Sequence, residues 1–170
     1  NQLNMPLKSL GLRQNNLPSG YDIDKKLIEL IDKPEWYGYG DKNWNCSFCV
    51  MAGETFEPDI VRIDYYKGKP YFMIYDAKYY NIVLKPNLLK KQPGIESITK
   101  QYLYQLAYKE FADAAGIVEM RNCFLLPTAK TEVDSLGFVA LGMIEKIFEL
   151  NHIEIRLLPT NLVYEAYLYG

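Results

Sequence analysis

The sequence predicts a mixed fold, α/β or α+β, with helices flanking one central mixed sheet. Three observations carry this. Residues 59–66 (DIVRIDYY) and 71–80 (YFMIYDAKYY) are rich in β-branched and aromatic residues and flank Lys67-Gly68-Lys69-Pro70, the pattern of an antiparallel hairpin. Residues 98–115 have helical spacing, with Ile98, Tyr102, Leu106 and Ala107 on one side. Residues 123–127 (CFLLP) are wholly apolar, as in a strand covered on both faces. Strands and helices mixed in this way pack as layers around one core.

The elements follow in order. Residues 1–20 are polar, with Pro6, Pro18 and Gly20, and read as an arm or linker; residues 21–170 form the domain. Asp24 is placed to cap a short helix carrying Leu27, Ile28, Leu30 and Ile31, which Pro34 stops. Residues 44–51 (WNCSFCVM) read as a strand, followed by the hairpin. Residues 84–94 (LKPNLLKKQPG) read as a loop. Ser97 is placed to cap the long helix, and Gly116 to end it. Residues 137–145 (GFVALGMIE) and 152–158 (HIEIRLL) read as two further strands. Residues 160–169 (TNLVYEAYLY) read as a closing helix capped by Thr160.

At 170 residues the chain suffices for one domain with a real core. The net charge of −2 gives no broad electrostatic footprint for nucleic acid, so any DNA contact must be local or supplied by a partner. The fifteen tyrosines suit half-buried strands and packing with a polar tip. No run of about 18 apolar residues occurs, so no membrane span is expected, and there is no signal-peptide pattern. Three cysteines, an odd number, fit a reducing compartment, the cytoplasm, without a disulfide framework. A first residue of Asn1 rather than Met is what a fragment of a longer chain would show.

The chemistry concentrates in the hairpin. Charges are rare in buried strands unless they are paired or bound to metal. Yet Asp76 follows an apolar run, and Lys78, two residues on, points to the same face. A two-residue turn at Lys67-Gly68 would set Asp59 opposite Asp76 and Glu57 opposite Lys78. Facing carboxylates repel, and a divalent cation between them reverses that sign. Asp59, Asp76 and the Ala77 carbonyl form an oxygen set that suits Mg²⁺, or Mn²⁺ in its place, with water completing the shell. Such an ion polarises a phosphoryl oxygen and lowers the pKa of a bound water. Lys78 would hold the attacking water or stabilise the charged transition state. The triplet alone is weak, since Asp24-Lys25-Lys26 also matches D-x-K. What distinguishes Asp76-Ala77-Lys78 is its place near the end of one hairpin strand, with Pro58-Asp59 opening the other.

Pro58-Asp59 and Asp76-Ala77-Lys78 resemble the signature of the PD-(D/E)XK nuclease superfamily, and the element order over residues 27–127 is similar to its αβββαβ core. The wording "PDIV", "DAKYYN", "KQYLYQLAY", "CFLLP" and "IEIRLLP" is similar to the catalytic region of LlaJI-type restriction endonucleases, from Lys33 onward. That resemblance implies Mg²⁺-dependent cleavage of double-stranded DNA as part of a type II restriction-modification system. It also implies that target recognition lies in an upstream domain or a second subunit, with dimerisation for double-strand cleavage. The helical Lys-Gln of the superfamily is matched by Lys100-Gln101, so Gln101 would orient water or a phosphate; the plain alternative is an exposed helical glutamine. Many members carry a glutamate on the first helix. Here Glu29 is the candidate, although a solvated helix face explains it better.

Other signals are weaker. Lys85, Lys90, Lys91 and Lys100 are candidates for phosphate contact, with a solvated surface as the alternative. Cys46, Cys49, Cys123 and His152 have the count of a Cys₃His zinc site, but residues three apart on a strand face opposite sides. Two rival functions stand beside the restriction nuclease. One is another nuclease on this fold, a junction resolvase or repair nuclease. The other is a nuclease-like binding module, which would have no use for Asp59, Asp76 and Lys78 together.

Overall fold

A computed structural model describes residues 1–12, 21–39 and 46–169. In chain order its strands are β1 (Glu35–Tyr39), β2 (Cys46–Met51), β3 (Ile60–Tyr66), β4 (Lys69–Ala77), β5 (Val83–Lys85) and β6 (Leu88–Lys90). Helix α1 (Ile95–Ala114) leads to β7 (Glu119–Thr128) and β8 (Asp134–Val139), then α2 (Gly142–Phe148), β9 (Ile153–Pro159) and α3 (Thr160–Tyr169). The class is α+β, as expected. Its centre is a five-stranded mixed sheet in the order β3-β4-β7-β9-β8.

The hairpin forms in the expected register. Lys67 and Gly68 both have positive φ, 49° and 75°, the requirement of a type I′ turn whose twist matches its strands. Tyr66 therefore faces Lys69, and Ile60 faces Tyr75. β4 pairs parallel with β7, and β7 with β9, so α1 is the crossover and runs back against β4. The strand expected at residues 44–51 is present as β2, but it joins β1, which the sequence reading missed, in a separate exposed ribbon. Trp44 and Asn45 lie outside the described residues.

One face of β3 and β4 supplies Val61, Ile63, Phe72 and Ile74 to the core, against Tyr104, Tyr108 and Phe111 of α1. The Phe72 and Tyr108 rings lie 4.9 Å apart. The helix thus buries its tyrosines, whereas Leu106, expected inward, is 40% exposed. Large aromatic rings fill the space over the sheet, and their area outweighs the aliphatic stripe. Gly116, at φ 69°, ends the helix as expected. Ile117 N–H bonds Ala112 O and Gly116 N–H bonds Asp113 O, the Schellman pair.

Several expectations are corrected. Residues 1–12 are not a free arm: Leu3, Leu7, Leu10 and Leu12 are buried in the same core. Gln2 N–H donates to Val61 O at 2.8 Å and its side chain accepts from Ile63 N–H at 2.6 Å, so this segment covers the open edge of β3. Residues 13–20 lie outside the described residues. Asp24 caps nothing; it pairs with Lys8, and the chain forms only a 3-10 turn, Leu27–Leu30. α1 begins at Ile95 after Gly94, leaving Ser97 inside it. Residues 84–94 contain the small β5–β6 hairpin, turned at Asn87 with φ 61°. Residues 137–145 are half strand and half helix. Tyr102 Oη accepts Leu141 N–H at 3.0 Å and donates to the Glu145 carboxylate, which anchors the start of α2. Thr160 begins α3, and its hydroxyl bonds the Thr128 carbonyl.

Leu7→Ala, at a fully buried site, is expected to cost about 2–5 kcal/mol of unfolding free energy in urea. A loss below about 0.5 kcal/mol, the size of a surface substitution, would contradict the packed N-terminal segment. Cysteine labelling gives a second check. Cys46 and Cys49 are exposed, while Cys123 is buried and its thiol is pushed up to about 12 by burial. Iodoacetamide at neutral pH should label two thiols in the native protein and the third only on unfolding.

Candidate active site

β4 carries Phe72, Ile74 and Asp76 on the face that α1 covers. The first two are fully buried and Asp76 is 3% exposed, at the carboxyl end of the strand. A buried carboxylate needs a partner. Lys78 supplies it, with Nζ 2.5 Å from Asp76 Oδ2, its own side chain being 24% exposed. The contact is an ion pair without hydrogen-bond alignment, for Oδ2 accepts no well-directed hydrogen bond. Lys78 N–H donates to Leu125 O at 2.9 Å, which extends the β4–β7 pairing and fixes the base of the side chain.

Asp59 stands one residue before β3 and is exposed. Its Oδ2 accepts the Ala77 backbone N–H at 2.8 Å, across the hairpin. The turn register therefore brings Asp59 to the Asp76-Ala77-Lys78 segment, as expected. The ladder starts at Ile60, so neither expected facing, Asp59 with Asp76 or Glu57 with Lys78, is part of it: Asp59 meets the Ala77 amide, and Glu57 offers its carbonyl to Tyr104 Oη at 2.6 Å. Tyr104 is fully buried. Burial holds its hydroxyl well above the usual tyrosine range, with the negative charges of Asp76 and Asp59 adding and Lys78 opposing. It is therefore a permanent donor.

Gln101 is not the exposed helical glutamine of the plain alternative. It is 1% exposed, and both of its amide atoms lack a partner. It lies in the second turn of α1, and the crossover sets that end of the helix near the carboxyl end of β4. Its backbone carbonyl accepts Asn122 Nδ2 at 2.7 Å, while Asn122 Oδ1 is also unpartnered. Lys100 Nζ lies 5.6 Å from the centre of the Tyr104 ring. Lys85, Lys90 and Lys91 are exposed on and just beyond the β5–β6 ribbon. Glu29 is engaged elsewhere: its carboxylate accepts Lys26 N–H at 2.7 Å.

Among the described residues no group of three His, Cys, Asp or Glu side chains converges on one point. Glu29 therefore does not join Asp59 and Asp76, and the cysteines do not gather with His152, whose ring packs 4.5 Å from that of Phe138. A cation at the hairpin would have two carboxylates, a carbonyl and water. The buried Asp76 Oδ2, held by Lys78 without an aligned hydrogen bond, and this all-oxygen set fit Mg²⁺, which keeps several waters and needs few protein ligands. The sequence reading missed Tyr104 and Asn1. Asn1 Nδ2 bonds Asp59 O at 2.8 Å. A buried tyrosine hydroxyl needs a partner, which was the available signal for Tyr104; nothing local marks Asn1.

The family model of the LlaJI restriction endonuclease matches residues 21–158, most of the chain. The chain belongs to the LlaJI restriction endonuclease family. A curated relative, the "Type II restriction enzyme BsuMI component YdjA" of Bacillus subtilis (strain 168), is 31% identical over 142 residues, covering 83% of this chain. The chain spans only 28% of that relative's length. No solved structure matches. The LlaJI match includes Asp59, Asp76, Lys78 and Gln101 and begins after the packed segment that carries Asn1.

The orphaned amide of Gln101 makes a stability prediction. Burying an unpartnered polar group costs about 1–3 kcal/mol, so Gln101→Met should leave the unfolding free energy unchanged or raise it. A loss above about 2 kcal/mol would mean that the amide is satisfied in solution and is part of the packing.

Proposed function

We propose that this chain carries the DNA-cleaving centre of a type II restriction enzyme, a metal-dependent endonuclease that hydrolyses phosphodiester bonds. The observation that carries the reading is the buried Asp76 at the end of β4, with Lys78 against it and Asp59 bonded across the hairpin to the residue between them. The family match and the relative's printed name support the restriction role.

Asp59, Asp76 and the Ala77 carbonyl would hold Mg²⁺ or Mn²⁺. When bound, the cation supplies a Lewis acid at a phosphoryl oxygen and a more acidic water. Lys78 presents a compact charge with three donors at the strand end, where it holds the attacking water or stabilises charge building on the phosphate. Gln101 offers a free amide to orient water or a phosphate oxygen. Lys85, Lys90, Lys91 and Lys100 are the available grips on the DNA backbone. Free thiols fit a cytoplasmic enzyme.

The test uses the full-length protein, with any partner subunit, on plasmid DNA. Mg²⁺ should support cleavage, and Ca²⁺ should bind without supporting it. Asp76→Asn should abolish cleavage and weaken Mn²⁺ binding measured by calorimetry. Lys78→Ala should abolish cleavage and keep Mn²⁺ binding, because it acts on the transition state rather than the ion. Cleavage by Lys78→Ala at the parental rate would remove its role.

Among the described residues no helix is strongly basic with side chains spaced to read base edges, and the net charge is −2. These 170 residues alone should therefore bind DNA weakly and without sequence preference at physiological salt. Target recognition is assigned to an upstream domain or second subunit, and cutting of both strands to a second copy. Enrichment of one defined sequence from a random DNA pool would overturn this division of labour.

A further inference from the structure

We propose that Tyr104 and Asn1 are positioning residues that set the Asp59 carboxylate in place, a role that rests on reading Asp59 as a cation ligand. Asp76 needs no such help, since the strand ladder of β4 aims it. Asp59 lies outside any strand, so no ladder bond fixes its backbone.

Hydrogen bonds from outside the ladder hold it and its neighbours instead. Tyr104 Oη donates to Glu57 O at 2.6 Å, two residues before Asp59. Asn1 Nδ2 donates to Asp59 O at 2.8 Å, and Asn1 Oδ1 accepts both Val61 N–H and Leu3 N–H at 3.1 Å. The Ala77 N–H then meets Asp59 Oδ2 at 2.8 Å. Pro58 between these anchors is buried. Tyr104 is itself held by packing: it projects from α1, is fully buried, and packs 5.3 Å from the ring of Phe56. One anchor thus comes from the helix over the sheet and the other from the segment along the free edge of β3. Ligand-holding groups need placement within about 0.5 Å, which outer partners supply. Losing such partners typically costs about 10–100-fold in metal affinity.

The experiment has a metal-free arm and a metal arm, both on the full-length protein. In the metal-free protein, hydrogen exchange at the Ala77 amide should quicken in Tyr104→Phe and Asn1→Ala. Tyr108→Phe is the control, because that hydroxyl lies one turn along α1 and bonds nothing; it should leave the exchange rate unchanged. In calorimetry with Mn²⁺ alone, both positioning variants should bind about tenfold more weakly or worse, and Tyr108→Phe at the parental affinity. Cleavage by the positioning variants should recover at saturating Mg²⁺. Unchanged Ala77 exchange in both variants would overturn the proposal. So would unchanged Mn²⁺ affinity in both while Asp76→Asn loses binding, in which case the cation site itself stands. Parental Mn²⁺ affinity in Asp76→Asn would overturn the cation reading and this proposal with it. Asn1→Ala lies at an exposed position, so it decides the matter if Tyr104→Phe does not fold.

Discussion

The two-residue turn at Lys67-Gly68 is the constraint on which the site depends. With φ positive at both positions, it admits one register for β3 and β4. A slip of one residue would send every side chain to the opposite face. Phe72 and Ile74 would leave the core, and Asp76 would leave the α1 side. The same register carries Asp59 to the Ala77 N–H. Burial of Val61, Ile63, Phe72 and Ile74 against α1 enforces the register from the other end, so fold stability and site geometry share one cause.

The hairpin and its charged triplet were legible because their signals are local. A turn dipeptide, strand alternation and a D-x-K spacing need no knowledge of the rest of the molecule. The long helix α1 and the covered strand β7 were legible too, through helical spacing and the apolar run at residues 123–127. Elements that depend on distant partners were not. The segment 1–12 reads as polar until its four leucines meet the core. α2 depends on Tyr102, some forty positions earlier, bonding Leu141 and Glu145. The inward face of α1 was misread because tyrosines, not leucines, fill the space above the sheet. Asn1 bonds the Asp59 carbonyl and Tyr104 the Glu57 carbonyl across long stretches of sequence, and no spacing rule reports such contacts.

The electrostatics of the site follow from burial at one end of a strand. Asp76 is held in a low-dielectric position where an isolated carboxylate is costly. Lys78 balances it without an aligned hydrogen bond. Near the pair stand the donor Tyr104 and the more exposed Asp59. On our reading this is a site arranged for a cation and an anionic substrate together, with a lysine that offsets the carboxylate when neither is present. The net charge of −2 matters less than this local order. On the proposed function, long-range attraction of DNA falls to a partner domain or subunit.

The most direct measurement is an anomalous difference map at the manganese edge, from crystals of the full-length protein grown with Mn²⁺. The account predicts one strong peak within coordination distance of both Asp59 and Asp76, at the carboxyl end of β4. A peak on other residues, or no peak at the hairpin in crystals where Asp59 still accepts the Ala77 amide, would contradict it.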